Sequence, residues 1–549
     1  MPTDETLAAA RPSGGTPGTP GSPRRQRGES HARAWNGTGW GFAVKLVIMA
    51  AVNAIGLAIV WFAYVEGSWG ILAGTLALTV AANWVYFSRR ALPSKYIFPG
   101  LVFLLVFQLF TMVYTVNVAM TNYGTGHNST REQAVDALLI QSERAVEGAE
   151  TYPLTIIQRD GELGFAVVAD GEALVGSAES PLAASSDSTI DGDRVTAVPD
   201  WDVVDRATLL SDQGLQREVL DLRVPVSDDA DDGSIRTREG TRGTVYRSTL
   251  DWDPQAQTLT DTETGVVYAP SDDGRFVAED GTALPVGWQV YVGFDNFVRG
   301  FTDADYATPF WRITAWTFAF ATLTVATSFL MGLAMAVVFN DPRVRGRSLL
   351  RTLFILPYAF PAFLSALLFR GMLNANPDYG IINDLFFFDA RIEWLSDPWL
   401  AKVAIIGVNL WLSFPYWFLV CTGALQSLPS DVLEAARIDG AGRWRTWKSI
   451  MTPLLLISTA PLIIASFAFN FNNFTIIYML TGGEPPFTDT SASLGHTDIL
   501  ITMIYQISGV AGGRADYGLA SALSILVFLI VGAISALAFR RTRKLEEIL

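Results

Sequence analysis

The sequence predicts an α-helical polytopic membrane protein with about eight transmembrane helices and a large, mainly β (α+β) external domain inserted after the third helix. Three observations lead to this fold class. Half of the 549 residues are hydrophobic and only 17% are charged, whereas soluble domains carry about 25% charged residues. Long apolar runs occur in two groups along the chain. A strongly acidic stretch rich in turn residues separates the two groups.

Eight apolar runs, which we call spans 1 to 8, are long enough to cross a bilayer, since a crossing helix needs about 20 residues. Most of them carry no charge over that length, whereas a buried helix of a soluble domain keeps a polar face. The spans comprise residues 46–65, 68–87, 96–119, 312–339, 349–372, 401–425, 453–480 and 518–539.

The spans divide the chain into four predicted parts. Residues 1–40 are rich in Pro, Gly, Ser, Thr and Arg and cannot build a core, which predicts a disordered cytoplasmic tail. Residues 41–119 hold transmembrane helices 1 to 3, and residues 120–308 form the external soluble domain. Residues 309–549 hold helices 4 to 8 and include a cytoplasmic loop at 426–452.

Basic residues predict the orientation. Lys and Arg cluster in every second connection, as with Arg343, Arg345 and Arg347 between spans 4 and 5. Because basic connections stay in the cytoplasm, both termini are predicted to be cytoplasmic and residues 120–308 external. The insert agrees with this orientation, since it holds 35 Asp and Glu against 13 Arg, while the rest of the chain is net basic.

The composition excludes several classes of function. A single cysteine, Cys421, leaves no disulfide framework, and the three histidines show no metal-ligand spacing. The sequence has no GxxxxGK(S/T) phosphate-binding motif. We therefore predict a chain that is not an enzyme and holds neither a metal nor a cofactor, with any ATP-Mg bound by a partner subunit. The net charge of −15 argues against nucleic acid as a partner.

The insert is predicted to be mostly β. Short β-type runs at 165–168, 173–175, 244–246 and 265–268 alternate with Gly and Asp turns. A helix is expected near residues 131–148.

The loop at 426–452 carries the most specific motif. Glu434-Ala435-Ala436 is followed after three residues by Gly440, after nine more by Ile450, and then by Pro453. Residues 431–438 predict a short helix with Ser430 as its N-cap, ended by Gly440 and Gly442. A second helix over 443–451 then enters the membrane at Pro453. The loop is thus predicted to form a compact knob of two short helices; the alternative is an ordinary amphipathic interfacial loop.

This spacing resembles the EAA-x3-G-x9-I-x-L-P signature of ABC importer permeases, with Thr452 where the signature usually has Leu. The segments ILPYAFPAF, VNLWLSFPYWFLVCTGALQSLPSDVLEAA, PLIIASFAFNFNNFTIIYMLTGGEPP and VGFDNF look like the maltose/maltodextrin (MalF-type) permeases. The detailed likeness covers roughly residues 290–549. The insert matches that family in position and size more than in readable motifs.

Polar residues inside span 7 point to a translocation path. Asn470 and Asn473 share one helix face, and Asn472 lies between them. Trp411 and Tyr358 lie well inside spans 6 and 5. Amides with aromatic rings suit a neutral sugar, whose hydroxyls need partners and whose C–H faces stack on rings. The alternative for the amides is hydrogen bonding between helices with no role in transport.

The resemblance implies specific residues. The implied sugar contacts are Tyr358, Asn409, Trp411, Leu412, Ser413, Tyr416, Ser466, Phe469, Asn470 and Asn473. The implied ATPase-coupling residues are Glu434, Ala435, Ala436, Asp439, Gly440, Ile450 and Pro453. Ala362 stands where a Ser is expected and Ser413 where a Gly is expected, so the sugar itself stays open.

The resemblance also implies the partners: a second, MalG-like permease, two ATPase subunits, an external solute-binding protein and a sugar substrate, in a bacterial inner membrane. The predicted function is ATP-driven import of maltose or maltodextrins. Import of trehalose or another oligosaccharide is the first alternative. A stand-alone secondary transporter is disfavoured because the spans show no carboxylate, and a sensor because no sizeable cytoplasmic output domain is present.

Overall fold

The computed structural model describes residues 39–88, 92–146, 148–229, 232–341, 343–376, 378–388, 390–510 and 512–546. Nearly all of the predicted tail at 1–40 lies outside the described residues. The chain divides into two compact units, Met1–Met112 and Val113–Leu549, which are described separately.

The first unit contains three apolar helices. They are α1 (Trp40–Val65), α2 (Trp69–Phe87) and α3 (Leu92–Phe103), and α3 continues into a π-helical turn at Leu104–Leu109. The amides of Asn53 and Asn83 bond to each other with N···O distances of 2.6 and 3.2 Å. This pair of hydrogen bonds joins α1 to α2. Lipid offers an amide no hydrogen-bond partner, so amides on membrane helices bond to other protein groups.

The second unit begins within α4 (Phe110–Ala119), which leads into the insert. The insert's helices are α5 (Arg131–Gln141), α6 (Arg206–Ser211) and α7 (Gln213–Asp221). Its strands are β1 (Glu143–Ala145), β2 (Thr151–Arg159), β3 (Glu162–Ala169), β4 (Glu172–Ser177), β5 (Ala183–Ala184), β6 (Thr189–Asp191), β7 (Arg194–Ala197), β8 (Asp202–Val203), β9 (Val224–Pro225), β10 (Ser234–Thr237), β11 (Arg242–Ser248), β12 (Leu250–Asp253), β13 (Thr258–Asp261), β14 (Val267–Pro270) and β15 (Phe276–Val277).

The strands form one large antiparallel sheet and two smaller ones. The order in the large sheet is β5-β4-β3-β2-β11-β10-β9, with β1 beside β11 and β8 beside β2. Side chains alternate between its faces: Ile156 and Phe165 join one buried cluster, while Ile157 and Ala166 join the cluster on the other face. The prediction of a mainly β insert is confirmed.

The helix expected near 131–148 is shorter than predicted. It ends at Gln141, and residues 143–145 form β1, which pairs with β11. The cause is Glu143, whose carboxylate accepts hydrogen bonds from Arg223 (2.9 Å) and Arg236 (2.6 Å). Ion pairs to residues distant in sequence, together with pairing to β11, therefore override the local helical preference at this position.

The helical core follows the insert. Its helices are α8 (Asp295–Thr302), α9 (Ala304–Asn340), α10 (Arg347–Ile355), α11 (Ala362–Met372), α12 (Ile381–Phe387), α13 (Pro398–Gln426), α14 (Ser430–Ile438), α15 (Arg443–Thr446), α16 (Thr452–Phe471), α17 (Phe474–Leu480), α18 (Leu500–Ile507) and α19 (Tyr517–Glu546). A 3-10 turn (Leu356–Ala359) follows α10, and a π-helical turn (Trp447–Met451) joins α15 to α16.

Among the described residues, seven helices are long and apolar enough to cross a membrane, and an eighth crossing is present if a bent pair counts as one. That pair, Arg347–Ala359 and Ala362–Met372, bends by 93°, and Pro361 occupies the N-cap of its second helix. The predicted fold class with about eight spans is confirmed, and span 5 corresponds to this bent pair.

Helix α9 is central to this core. Near its start, Phe310 and Ile313 pack against α18 and α19. In its middle, Phe320 packs with residues of α11, α13 and α17, and Phe329 packs with α13 and α16 further on. We call the end of the core at which α9 and α19 begin the insert side, because the root of the insert lies there.

The root of the insert is fixed to α8 and α19. The buried Asn296 amide donates to the carbonyls of Ala119 (2.9 Å) and Thr121 (2.7 Å). A Cβ on Gly518 would lie 2.2 Å from the Thr121 oxygen, so only glycine permits this approach. The Arg299 guanidinium also pairs with Asp516 at 2.9 Å.

Replacing Glu143 with Ala should destabilise the insert. Arg223 and Arg236, each with about one quarter of its side chain exposed (24% and 25%), would lose their common partner, at a cost on the order of 2 kcal/mol. Limited proteolysis of the purified chain should show faster cleavage within residues 120–308. Glu263→Ala is the control, since Glu263 pairs with Arg144 on the exposed surface and should change stability by less than about 1 kcal/mol. Equal cleavage rates for both variants would contradict the assignment.

Candidate functional site

Three asparagines meet where span 7 is interrupted. Helix α16 ends at Phe471 and α17 starts at Phe474. The Asn409 Nδ2 donates to Asn470 Oδ1 at 2.8 Å, and Asn473 Nδ2 reaches the same oxygen at 3.5 Å. We call Asn409, Asn470 and Asn473 the asparagine cluster. It joins α13 to both halves of span 7.

The cluster is preorganised by its own hydrogen bonds. The Asn470 Nδ2 also donates to the carbonyl of Ser466, one turn earlier, at 2.9 Å. Asn473 caps α17, because its Oδ1 accepts from the backbone N–H of Ile476 at 3.5 Å. Asn409 and Asn470 are buried. The break lies beside the buried, hydrogen-bonded pair Asn409 and Asn470, so it marks a polar region inside the core.

The aromatic candidates differ in their surroundings. Trp411 packs between the rings of Phe360 (6.3 Å) and Phe369 (5.3 Å). Phe469 and Tyr358, in contrast, are 70% and 59% exposed. These two rings extend from the surface of the isolated chain and are free to contact a ligand or another subunit.

The remaining candidates on α13 are half-buried. Leu412 packs against the cluster around Phe320, and Tyr416 packs beside Trp417 with ring centroids 5.2 Å apart. Ser413 lies between them in sequence. The structure therefore brings together the three asparagines and Ser466, while the other candidates are distributed along α13, α16 and the turn after α10.

The loop at 426–452 folds as the predicted knob. Helix α14 covers Ser430–Ile438 and is followed by a reversal at Gly440, whose φ is +74°. Ser430 was predicted as the N-cap, but it is the first helical residue, and the N-cap is Pro429 without a side-chain bond. Proline restricts φ to about −65°, and Pro429 adopts an extended N-cap conformation with φ −60° and ψ 126°.

The predicted coupling residues occupy distinct places in this knob. Glu434, Ala435, Asp439 and Gly440 are exposed, whereas Ala436 is buried. Ile450 lies in the π-helical turn, and Pro453 is in the first turn of α16. The second helix predicted over 443–451 is α15 together with that turn.

Sequence reasoning missed two residues of the knob. Ile438 is 86% exposed and Trp444 is 73% exposed, on either side of the Gly440 reversal. These two exposed apolar side chains on an otherwise polar loop are candidates for contact with another subunit. The signal in the sequence was that the polar stretch IDGAGRW begins and ends with a large apolar residue, Ile438 and Trp444.

A cavity of about 570 Å³ lies on the insert side of α17. Its lining includes Arg370, Tyr478, Glu484, Asp498 and Gln506. Asp498 is buried, its Oδ2 accepts from the N–H of Gly495 at 2.8 Å, and its Oδ1 has no hydrogen-bond partner. Burial raises the pKa of Asp498 to about 6, with a smaller contribution from the charge of Glu484.

The comparisons with known proteins agree with this architecture. Residues 328–544 match the family model for the binding-protein-dependent transport system inner membrane component. Residues 102–179 match the model for the N-terminal part of the TM subunit in PBP-dependent ABC transporters. The fold and the knob thus define a permease of a binding-protein-dependent ABC transporter, an inner-membrane protein that crosses the membrane several times.

Similar curated proteins specify the family further. The chain is 36% identical to the maltose/maltodextrin transport system permease protein MalF of Vibrio vulnificus (strain YJ016), over 91% of this chain and 95% of that protein. It is 32% identical to MalF of Escherichia coli (strain K12), over 91% and 97%. A solved bacterial ABC transporter for alginate import matches with 25% identity and a TM-score of 0.40, over 46% of this chain and 84% of that one. The chain belongs to the MalF family of maltose/maltodextrin transport permeases, which confirms the predicted resemblance.

Replacing Asn470 with Ala should destabilise the helical core. Asn409 would keep a buried amide without its acceptor, at a cost of about 1–2 kcal/mol. The measurement is the apparent Tm of the purified chain in detergent. Asn472→Ala is the matched control, because Asn472 is exposed and its amide makes a single 3.4 Å bond, to the Ala468 carbonyl. A Tm unchanged in Asn470→Ala, or equally lowered in both variants, would contradict the role of the cluster.

Proposed function

We propose that this chain is the membrane-spanning permease subunit of an ATP-driven importer for maltose or maltodextrins. It forms half of the translocation path, together with a second, MalG-like permease. Two separate ATPase subunits bind and hydrolyse ATP-Mg, so this chain is not itself an enzyme and holds no cofactor. An external solute-binding protein delivers the sugar. The sugar assignment rests on the names of the similar proteins.

The knob is the observation that carries the proposal. Glu434 and Gly440 are exposed at the reversal between α14 and α15, with Ile438 and Trp444 extending beside them. A rigid knob with apolar side chains fits a cleft on an ATPase subunit. When ATP draws the two ATPases together, the knobs of the two permeases move with them, and the path opens toward the binding protein.

The orientation follows from charge. Arg343, Arg345 and Arg347 are exposed beyond the end of α9, opposite the insert side. Basic connections stay in the cytoplasm, so we place this end and both termini inside. The insert is then external, where the binding protein arrives.

The asparagine cluster and the exposed aromatic rings form the proposed sugar site. Amides provide both donors and acceptors, which suits hydroxyl groups. Phe469 and Tyr358 offer ring faces to the C–H faces of a sugar. In this proposal Trp411, Leu412, Ser413, Tyr416 and Ser466 line the same path along α13 and α16.

Purification of the tagged chain from its own membranes tests the proposed function. An ATPase subunit and a second permease should copurify in mild detergent. The reconstituted complex with its binding protein should hydrolyse ATP faster with maltose or maltodextrins than with trehalose. A chain that purifies alone in several detergents contradicts the importer. Stimulation by trehalose alone would instead assign the alternative sugar.

Trp444→Ala should weaken the attachment of the ATPase subunits. Loss of a buried aromatic anchor at an interface costs about 2 kcal/mol or more, which corresponds to a roughly thirtyfold weaker association. The measurement is the amount of ATPase subunit retained per permease after dilution. Phe388→Ala is the control, because Phe388 is equally apolar and 93% exposed but lies outside the knob. Equal retention in both variants would argue against docking through the knob.

A further inference from the structure

Helix α8 has its polarity reversed relative to a surface helix of a soluble protein. Its buried residues are Asn296 and Gly300, about one turn apart. Phe294 at its N-cap, Val298 and Phe301 are exposed to 67%, 54% and 38%. Their spacing of four and three residues places them along one face, which we call the apolar stripe. At 3.6 residues per turn, Val298 lies about 200° around the helix from Asn296.

Water is an unfavourable neighbour for this arrangement. A helix on the surface of a soluble protein turns its apolar face to the core and its polar face to the solvent. In α8 the core takes an amide and a glycine, and three large apolar side chains are exposed. The apolar stripe therefore fits surroundings of lipid or of another protein better than it fits water.

The position of α8 favours lipid, because the helix contacts the ends of three spans. The Asn296 amide donates to the carbonyl of Ala119, the last residue of span 3, at 2.9 Å. A Cβ on Gly518, the first residue of span 8, would lie 2.8 Å from the Asn296 side-chain nitrogen. The Phe301 ring lies 5.9 Å from the ring of Trp311, the residue before span 4. Helix α8 is therefore level with the boundary of the hydrocarbon region on the insert side.

Two further aromatic rings extend the exposed apolar surface at this level. Trp311 is 61% exposed and Tyr291 is 73% exposed. The Tyr291 hydroxyl donates to Asn117 Oδ1 on α4 at 2.7 Å, so this hydroxyl has a protein partner and does not require water. Trp and Tyr are enriched where a membrane meets water, because each combines an apolar ring with one polar group. The two rings are thus typical of the aromatic belt of a membrane protein.

The charges near the stripe indicate which part of a lipid it contacts. The Arg299 guanidinium pairs with Asp516 at 2.9 Å, and the Arg312 guanidinium pairs with Asp489 at 2.8 Å. Both arginines already have carboxylate partners, so neither selects an anionic headgroup. Contact through the stripe therefore depends on burial of apolar area among the acyl chains rather than on headgroup charge.

We propose that α8 is an interfacial anchor, whose apolar stripe is embedded in the lipid leaflet on the insert side. Amphipathic helices that lie in a membrane surface bury their apolar face about 5–10 Å into the boundary between headgroups and acyl chains. Through the bonds of Asn296 to Ala119 and Thr121, the anchor holds the root of the insert at a fixed height on the bilayer. The inference requires a membrane permease and does not depend on which sugar it carries.

Nitroxide labels in the complete transporter, reconstituted in phosphatidylcholine nanodiscs, test the proposal. Val298→Cys places a label on the apolar stripe, and Val267→Cys places one on β14 of the insert. The two valines are a matched pair, because they are exposed to 54% and 48%. The native Cys421 is buried, and the transporter without an added cysteine supplies the background.

The readout is the ratio of collisions with oxygen, which concentrates in lipid, to collisions with a nickel chelate, which stays in water. This ratio should be severalfold higher for the label at Val298→Cys than for the label at Val267→Cys. Phe294→Cys, one turn earlier on the same face, should repeat the high ratio. Equal ratios for the two valine positions would place the stripe in water and overturn the proposal. Few collisions with either reagent at Val298→Cys would also overturn it, and would mean that another subunit covers the stripe.

A charged substitution tests the anchoring itself. Val298→Asp places a carboxylate at the membrane boundary, where charge is unfavourable. Amide hydrogen exchange over residues 119–125, at the root of the insert, should then become faster in the nanodisc. Val267→Asp is the control and should leave that exchange unchanged. An unchanged rate in Val298→Asp would contradict the anchor, and if this variant does not assemble, the cysteine labels decide.

Discussion

A lipid bilayer offers no hydrogen-bond partners, and this constraint organises the membrane part of the chain. Several polar side chains of the long helices find partners within the protein, although the buried Thr314 and Thr324 hydroxyls of α9 have none. The Thr317 hydroxyl donates to the carbonyl of Ile313 (2.7 Å) and accepts from the backbone N–H of Leu500 (3.0 Å), which ties α9 to the start of α18. Thr459 returns its hydroxyl to the Leu455 carbonyl in α16. Asn409 donates its amide to Asn470 across two helices, and Asn470 donates to the Ser466 carbonyl.

The same constraint explains why the break in span 7 is at the proposed sugar site. The break leaves backbone groups free at the end of α16 and at the start of α17, and the Asn473 Oδ1 accepts from one of them, the Ile476 N–H. Backbone groups left without hydrogen bonds are costly in an apolar region, so the break requires polar surroundings. Those surroundings also suit a substrate with many hydroxyl groups, so the structural and the transport roles of the asparagines are compatible rather than exclusive.

Much of the fold was accessible from sequence because hydropathy and charge are summed over long segments. The eight spans, the acidic insert and the knob follow from about 20-residue runs or from a motif with fixed spacing. Two predictions were wrong: the length of the helix near 131–148 and Ser430 as an N-cap. The first depends on contacts between distant residues, and the second on a single backbone position. Residues 143–145 form a strand because Glu143 meets Arg223 and Arg236, which lie far away in sequence.

The asparagines show the same limit within the candidate site. Helical spacing separates Asn472 from Asn470 and Asn473, and Asn470 is indeed buried and Asn472 exposed, but the spacing assumes one continuous helix and does not predict the break. The helix break separates Asn470 from Asn473, and the helix propensities of these residues do not predict where the break lies. Burial of Asn470 instead depends on the side chain of Asn409, 61 residues earlier. Pairing of this kind is visible only in three dimensions.

The knob and the asparagine cluster are joined by one continuous run of helix. Arg443–Phe471 spans 29 residues, or about 43 Å at 1.5 Å per residue. It starts at the Gly440 reversal and ends beside Asn470. Because a helix resists compression, a displacement of the knob reaches the cluster directly, without passing through a loop.

Two features interrupt the regularity of this run: the π-helical turn at Trp447–Met451 and Pro461, which lacks a backbone donor. Bending concentrates at such positions. The segment beyond Pro461, which carries Ser466, Phe469 and Asn470, can therefore tilt as a unit when the knob moves. Tilting would change the distance between Asn470 and Asn409 on α13, so under the proposed transport mechanism this motion would strain the hydrogen bond between the two asparagines.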